Sequence, residues 1–349
     1  MRTALLAAFL SAGCAAPPPS ASDLDGLFSP ETSLWRGADA AYSVPLSPNR
    51  ILWLFGDTFV ASPGVPGRAG SRMVRNTLAI QSLPGAPAYF WRTRDGRAED
   101  AFAPQSGEGW LWPLSGQRIG PRLCLFMMQM IAKGEGAFGF AFLKSVLLTV
   151  DNPDDDPAAW TIHQADIPHA LRSPDVDLFF GSASLRFGDR LYIYGVRDHR
   201  TRGKNTVVAR VDPETVADFR SWEFFDGTTW SHDISAARGL FGGASVEMSV
   251  SAIRGGLAAV YTDQGMSPRI VMRRAERPEG PWNETEVIHR CSEPQWSRNY
   301  FCYAAKAHPE LAATDRELVV TYACNSMSFP EVVKDLRIYR PRFVRVSLD

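Results

Sequence analysis

Five stretches of the chain repeat one pattern of apolar and polar positions. Each starts with small or polar residues, continues as a β-type run, turns sharply, and returns as a second, more aromatic run. Gly, Asn or Asp stands at each turn, as tight β-hairpins require. The stretches begin near Asp39, Gly109, Gly181, Val246 and Tyr303. Their spacing of roughly 55–70 residues predicts one repeated supersecondary unit.

Further strand-like segments follow each of the first four hairpins. "RNTLAIQS" and "AYFWRT" follow the first, for example, whereas only "RIYRPRFVRVSL" follows the fifth. Four strands in each of five units predict an all-β, five-bladed β-propeller with four-stranded blades around a central channel, over residues 24–349. Because the last unit lacks one strand, we expect a segment near Leu27 to Trp35 to complete that sheet and close the ring. A β-sandwich or a larger sheet assembly is the alternative.

Residues 1–23 have the pattern of an export signal and tether. Arg2 precedes the short apolar run Ala4 to Leu10, and small residues then lead to Cys14 and a Pro/Ser/Ala segment. The pattern resembles a bacterial lipoprotein signal, which implies cleavage before Cys14 and lipidation of its thiol. Ser11 departs from that pattern, because a large aliphatic residue is usual there, and plain secretion or coincidence stays open. We expect an exported protein anchored in a bacterial envelope, periplasmic or at the cell surface.

The composition limits the partners that the protein could bind. The chain is 45% hydrophobic and 21% charged, which is typical of a folded globular protein. A net charge of −1 gives no reason to expect nucleic acid or an anionic membrane surface as a partner. We therefore expect membrane contact through the lipid anchor only, no nucleic-acid binding, and a monomer.

Export changes how the cysteines are interpreted. Without Cys14, the chain has Cys124, Cys291, Cys302 and Cys324, an even number for an oxidising compartment. Cys291 and Cys302 flank a short loop and are the candidate disulfide pair, with buried free thiols as the alternative. No CxxC or His/Cys spacing suggests zinc, so no metal site is predicted.

Polar and aromatic residues mark the starts of the predicted inner strands, which line the channel of a propeller. We expect these residues to converge on one mouth of the channel. They include Asp39, Tyr42, Trp110, Trp112, Ser182, Glu247, Tyr303, Lys306 and His308. Glycoside hydrolysis needs a carboxylic acid and a carboxylate, separated by about 5–5.5 Å for retention or about 6.5–9.5 Å for inversion. Asp39 is the candidate base or nucleophile. Glu247, in an apolar strand that would raise its pKa, is the candidate acid.

The remaining candidates are expected to bind substrate or support the pair. Lys306 is suited to lower a carboxyl pKa or bind a hydroxyl, and His308 is suited to orient a carboxylate. Asp57, Asn76 and Asn325 are further candidates. Each has a structural alternative, such as binding turn amides, forming an ion pair or satisfying buried backbone groups.

Several phrases carry a family resemblance over roughly Leu34 to Asp349. "GADAAYSVPL", "ILWLFGDTF", "RNTLAIQ", "YAAKAHPEL" and "ELVVTYACN" resemble the bacterial family called domain of unknown function 4185 (DUF4185). That resemblance implies an exported five-bladed propeller, and some members are endo-acting D-arabinanases. The chain is similar, more distantly, to glycoside hydrolase family 43, in which an Asp opening the first blade is the base and a Glu of a later blade is the acid. Asp39 and Glu247 occupy the matching positions.

One position departs from family 43. Those enzymes use a third carboxylate from an intermediate blade to tune the acid, whereas the comparable "GSASL" offers Ser182 here. Asp57 or Asp177 is the candidate substitute.

Together these features predict an exported glycoside hydrolase that acts on a polysaccharide, with arabinan-like, furanose-containing polymers as candidates. No cofactor is predicted, although a cation in the central channel stays open. The alternative is a non-catalytic propeller that binds surface glycans or proteins, with an open aromatic mouth and one carboxylate. A structural envelope lipoprotein is the third hypothesis.

Overall fold

Five antiparallel sheets surround a central channel in the computed structural model, which describes Leu24, residues 26–29 and residues 33–348. The innermost strands of neighbouring sheets contact one another around the whole ring, including those of the first and last sheets. The predicted five-bladed β-propeller is therefore confirmed.

Blade 1 contains β1 to β5, which span Trp35–Ser47, Arg50–Val60, Arg72–Val74, Thr77–Ser82 and Pro87–Phe90. A separate hairpin, β6 and β7, spans Arg92–Arg94 and Arg97–Glu99. Blade 2 contains β8 to β11, which span Trp110–Ile119, Arg122–Ala132, Phe140–Val150 and Ile162–Asp166.

Blade 3 contains β12 to β17, which span Leu171–Arg172, Val176–Phe187, Arg190–His199, Gly203–Val211, Glu223–Phe225 and Trp230–Ser231. Blade 4 contains β18 to β21, which span Met248–Ile253, Gly256–Thr262, Arg269–Ala275 and Glu286–Arg290. Blade 5 contains β22 to β24, which span Tyr300–Ala307, Glu317–Ser326 and Pro341–Ser347.

Helical segments are short and connect the strands. The α-helix Phe329–Lys334 lies between β23 and β24. Single 3-10 turns span Pro157–Ala159, Pro213–Thr215, Phe219–Ser221, Ile234–Ala236, Glu293–Gln295 and Pro309–Leu311. Among the described residues, none of the helices has the length and apolar character needed to cross a membrane.

The hydrophobic core lies between the blades, because each sheet buries both of its faces. Leu54 of blade 1 packs with Leu125 of blade 2, for example. Equivalent clusters join blades 2 and 3, 3 and 4, and 4 and 5. This burial on two faces explains why residues 51–55 of β2 and 123–128 of β9 are continuous apolar runs and do not alternate.

The closure of the ring differs from the prediction. Blade 5 has three strands, and β1 begins at Trp35 and pairs with β2 in blade 1. Phe28 instead packs its ring against Phe343 of β24, with centroids 5.8 Å apart, and contacts Trp53 of blade 1. In the described part of the chain, side-chain packing and not a fourth strand therefore joins the N-terminal segment to blade 5.

Arg68 provides a second link between blades 1 and 5. Its side chain is 1% exposed and lies against the rings of Phe59 and Tyr339. The guanidinium donates to five backbone carbonyls, those of Arg36, Val332, Asp335, Ile338 and Tyr339. One cation thus holds the start of blade 1 against the segment that precedes β24.

The structure describes four of the five cysteines. Cys124, Cys291, Cys302 and Cys324 are buried free thiols, so the candidate Cys291–Cys302 disulfide is not formed and the alternative holds. The Cys302 thiol instead lies between the thiols of Cys291 and Cys324. Cys14 lies outside the described residues, so its lipidation and the anchor stay predictions.

Candidate active site

A cavity of about 370 Å³ opens at one mouth of the channel. Its polar lining comes from all five blades and includes Asp39, Asp57, Trp112, Asp198, Lys204, Glu247, Gln264, Tyr303 and Asn325. The predicted catalytic pair, Asp39 and Glu247, therefore shares one cavity, together with four of the predicted supporting residues. A concave site with a few convergent polar groups is the usual form of a small-ligand site.

Bulges in the inner strands direct these side chains into the cavity. The register of β1 shifts on both sides of Ala40, and Ala40 and Ala41 have φ angles of 67° and 96°. The register of β22 shifts after Tyr303, and Ala304 has a φ of 57°. A bulge re-aims the neighbouring side chains, and backbone strain of this kind concentrates at functional sites.

Asp39 lies among acidic neighbours. Tyr303 donates its hydroxyl hydrogen to Oδ2 of Asp39 at 2.7 Å, and the backbone N–H of Asp57 donates to the same carboxylate. Burial raises the pKa of Asp39 well above its usual range, and the Asp57 and Glu247 carboxylates raise it further. The two hydrogen bonds oppose this rise and keep the carboxylate oriented.

Asp57 stands directly behind Asp39 on β2. Its carboxylate accepts hydrogen bonds from Nη1 of Arg75 at 2.9 Å and from Nε1 of Trp112 at 2.7 Å. Burial raises the pKa of Asp57 to about 6, although Arg75 and Trp112 lower it. Because Asp57 acts on Asp39, it does not replace the third carboxylate that tunes the acid in family 43.

Glu247 has positively charged neighbours instead. The Tyr42 hydroxyl donates to Oε1 of Glu247 at 2.7 Å. Burial raises the pKa of Glu247, whereas Tyr42, Lys306 and Lys204 lower it. Asp39 therefore faces carboxylates, whereas Glu247 faces two lysine side chains and a tyrosine hydroxyl.

Lys306 fills the channel below the cavity. Its Nζ donates to the carbonyls of Leu114 and Ser182, the latter at 3.0 Å, and lies 4.0 Å from the Tyr42 ring centroid. Burial lowers the pKa of Lys306 to about 7, and Glu247 opposes this change. Lys306 thus places an amine that titrates near neutral pH in the channel beside Glu247.

Two charged lining residues were missed by sequence reasoning. Asp198 and Lys204 lie on adjacent strands of blade 3, with Oδ2 and Nζ 3.8 Å apart, and both reach the cavity. They lie on β14 and β15, whereas the residues predicted from the sequence are at the starts of innermost strands. Asp198 provides a carboxylate from blade 3, the blade in which Ser182 occupies the position of the third carboxylate of family 43.

The rim of the cavity is aromatic and apolar. Phe138 and Met266 are 52% and 50% exposed, from hairpin loops of blades 2 and 4. Phe138 also contacts Phe301 of blade 5, with ring centroids 6.4 Å apart. Sugar rings stack on such surfaces. The pattern of apolar and polar residues in the sequence did not distinguish Phe138 from the phenylalanines of the core.

Several predicted site residues lie elsewhere. Asn76 is buried and uses its amide on the backbone of Phe102 and Leu111. Ser182 is fully buried and contributes its carbonyl, not its hydroxyl. Trp110 stacks under Arg75 beside Trp112 and outside the cavity lining. The contacts of Asn76, Ser182 and Trp110 are therefore structural, and none of the three side chains lines the cavity.

His308 and Asp177 are also away from the carboxylates. His308 lines a second cavity of about 240 Å³ at the other side of Lys306, where it bonds Ser43 at 2.5 Å and Thr321 at 2.6 Å. Burial and Lys306 lower its pKa to about 3, which keeps it neutral. Asp177 pairs with Arg200 at 2.8 Å at the start of β13 and does not line the cavity.

The sequence profile of a family described as "Domain of unknown function (DUF5005)" matches residues 22–348. The chain belongs to this family. The expected DUF4185 assignment is therefore corrected to DUF5005, whereas the wider likeness to family 43 propellers is supported. No curated protein sequence matches this DUF5005 chain.

Solved structures share the fold of this DUF5005 protein. A provisionally named hydrolase from Bacteroides ovatus is 17% identical, with a TM-score of 0.75, covering 93% of this chain and 89% of that one. A GH43_1 enzyme from Xanthomonas citri is 14% identical, with a TM-score of 0.50 and 90% of each chain covered. The GH32 β-fructofuranosidase of Bombyx mori is 11% identical, with a TM-score of 0.51, covering 93% and 64%. At these identities the likeness shows the fold.

Proposed function

We propose that this DUF5005 protein is a glycoside hydrolase that cleaves a polysaccharide by two-carboxylate catalysis. The observation that carries the proposal is the position of Asp39 and Glu247, which come from different blades, line one cavity and both have raised carboxyl pKa values. Glycosidases use such a pair, with one carboxyl group protonated and one ionised.

In this mechanism Glu247 donates its proton to the leaving oxygen, and Asp39 acts as base or nucleophile on the opposite side of the sugar. The positive charge that develops on the sugar in the transition state favours an ionised Asp39. Tyr303 holds the Asp39 carboxylate in position for that step.

The solved neighbours guide the choice of substrate. One is named as a β-fructofuranosidase in complex with sucrose, and another as an exo-β-1,3-galactanase in complex with a galactotriose. The first name indicates that this blade arrangement accommodates furanose rings. We therefore propose a furanose-containing, arabinan-like polysaccharide as the substrate.

A substrate screen tests the proposal. Purified protein would be incubated with arabinan, other furanose glycans and pyranose glycans, and released reducing sugars would be measured. We expect release from a furanose glycan by the wild type and none by the double variant Asp39→Asn/Glu247→Gln. Binding of a glycan without any release, or equal release by the double variant, would contradict the proposal.

The alternative of a glycan-binding propeller has weaker support. It predicts an aromatic mouth with one carboxylate, whereas the cavity is lined by four, those of Asp39, Asp57, Asp198 and Glu247. A binding surface gains nothing from burying acidic groups beside one another at raised pKa.

Asp57→Asn should move the acidic limb of the pH profile of kcat/KM to lower pH. The Asp57 carboxylate raises the pKa of Asp39, so its removal lets Asp39 stay ionised at lower pH. The amide still accepts a hydrogen bond, and the backbone N–H to Asp39 is unchanged. Initial rates between pH 4 and 9 would measure the shift, and an unmoved or upward-shifted acidic limb would show that Asp57 does not tune Asp39.

A further inference from the structure

A cluster of soft and hard ligand atoms lies between blades 4 and 5, outside the cavity. Cys291 follows β21, Glu293 opens the next 3-10 turn, Cys302 lies on β22 and Cys324 on β23. All four side chains are at most 4% exposed. Cys291 and Glu293 are close in sequence, but Cys302 and Cys324 lie on later strands, so no ligand spacing reveals the whole cluster along the chain.

The donor atoms are already close to one another. The Sγ atoms of Cys291 and Cys302 and a carboxylate oxygen of Glu293 lie within 4.8 Å of one another. Cys302 also exchanges a thiol hydrogen bond with Cys324, which faces it directly on the neighbouring strand. In a tetrahedral zinc site, with Zn–S bonds of about 2.3 Å, two sulfurs stand about 3.8 Å apart. Small side-chain movements would therefore bring the donors onto one ion.

The carboxylate has the partners that orient a metal ligand. The Tyr322 hydroxyl donates to Glu293 at 3.0 Å, and Nε of Arg342 lies 3.4 Å from Oε1. Ligating carboxylates are commonly held by such hydrogen bonds in the surrounding shell. Arg342 also balances the Glu293 charge, so a divalent ion with three thiolates leaves one net negative charge on the buried cluster.

We propose that Cys291, Glu293 and Cys302 bind one thiophilic divalent ion of the Zn²⁺ type, with Cys324 as the fourth donor. Thiolates select soft or borderline metals over Ca²⁺ and Mg²⁺. Each ligating thiol releases its proton to solvent on binding, since the thiolate is the ligand.

The site would brace the wall of the cavity. Cys302 precedes Tyr303, and Cys324 precedes Asn325, both of which line the cavity. The inference does not depend on glycoside hydrolysis, because its test measures metal binding and stability and not activity.

A disulfide is the competing outcome of the same geometry. The carbonyls of Cys302 and Cys324 accept hydrogen bonds from Ser267 and Tyr339, outside the strand pair, so the two cysteines form a non-hydrogen-bonded pair. Cα atoms of such pairs are about 4.5 Å apart, which permits a disulfide. That bond would give Glu293 no role and leave Cys291 unpaired.

Cobalt binding tests the proposal on the full chain. The protein would be unfolded and refolded under reducing conditions with Co²⁺ alone, and thiolate-to-Co²⁺ charge-transfer absorption would be recorded. We expect one Co²⁺ per chain, displacement by Zn²⁺, and a higher melting temperature with Zn²⁺ than with chelator. Cys302→Ser should weaken binding about 10–100-fold or more, as loss of a ligand does.

Cys124→Ser is the matched control, because Cys124 is equally buried but lies on β9 in blade 2. It should bind Co²⁺ as the wild type does. No stoichiometric metal in the wild type would overturn the proposal, even if Cys302→Ser fails to fold. A Cys302 disulfide in a non-reduced peptide map of the native protein, or an unchanged cobalt spectrum in Cys302→Ser, would also overturn it.

Discussion

Asp39→Asn and Glu247→Gln should each lower kcat on the cleaved glycan by about 10²–10⁴-fold, the usual contribution of a positioned acid or base. Each change keeps the size of the side chain and its capacity to accept the Tyr303 or Tyr42 hydrogen bond. Folding should therefore be preserved, and KM should change little. Initial rates over a range of substrate concentrations would separate kcat from KM.

The two variants should differ in their response to the leaving group. An aryl glycoside with an acidic phenol needs little help from a proton donor, so Glu247→Gln should retain much of its activity on it. Asp39→Asn should stay inactive on the same substrate, because the base or nucleophile is still missing. The reverse result would exchange the roles of Asp39 and Glu247.

Asp177→Asn is a matched control for these variants. Asp177 is a buried carboxylate of blade 3, paired with Arg200 and absent from the cavity lining. Its replacement should leave kcat/KM near the wild-type value, whereas the loss of the ion pair should lower stability. Wild-type rates in both Asp39→Asn and Glu247→Gln would end the two-carboxylate mechanism.

The repeat in the sequence predicted what depends on local pattern. Hairpin spacing gave the number of blades, and the polar starts of inner strands brought Asp39 and Glu247 into one cavity. Trp112 and Tyr303 followed from the same rule, whereas Asn325 lies near the end of β23, the second strand of blade 5. These positions could be predicted because a propeller places equivalent residues of successive blades at one end of the channel.

The orientation of individual side chains could not be predicted in this way. The bulge after Tyr303 changes the register of β22, so Lys306 enters the channel while His308 faces the opposite cavity. Asp198 and Lys204 reach the site from the outer strands of blade 3, where no inner-strand rule applies. The cysteine cluster depends on the register of two strands, which fixes contacts that spacing does not show.

Arg68→Ala should cost about 3–5 kcal/mol of unfolding free energy, near the upper end for a single substitution. The guanidinium donates to five carbonyls, and each buried carbonyl that loses its donor costs about 1–3 kcal/mol, except where water can replace the donor. The lost hydrogen bonds join the first and last blades, and the described residues provide no fourth strand of blade 5 at this contact. Urea unfolding followed by tryptophan fluorescence would measure the change.

Two further variants test whether the directed hydrogen bonds carry this effect. Arg68→Lys keeps the positive charge but offers three donors in place of a planar fork, so we expect it to recover only part of the lost stability. Arg72→Ala removes an exposed arginine four positions later and should stay within about 0.5 kcal/mol of the wild type. Equal stability of Arg68→Lys and the wild type would show that charge alone suffices. Equal stability of Arg68→Ala and Arg72→Ala would show that the packing of Phe28 and Phe343 closes the ring without this arginine.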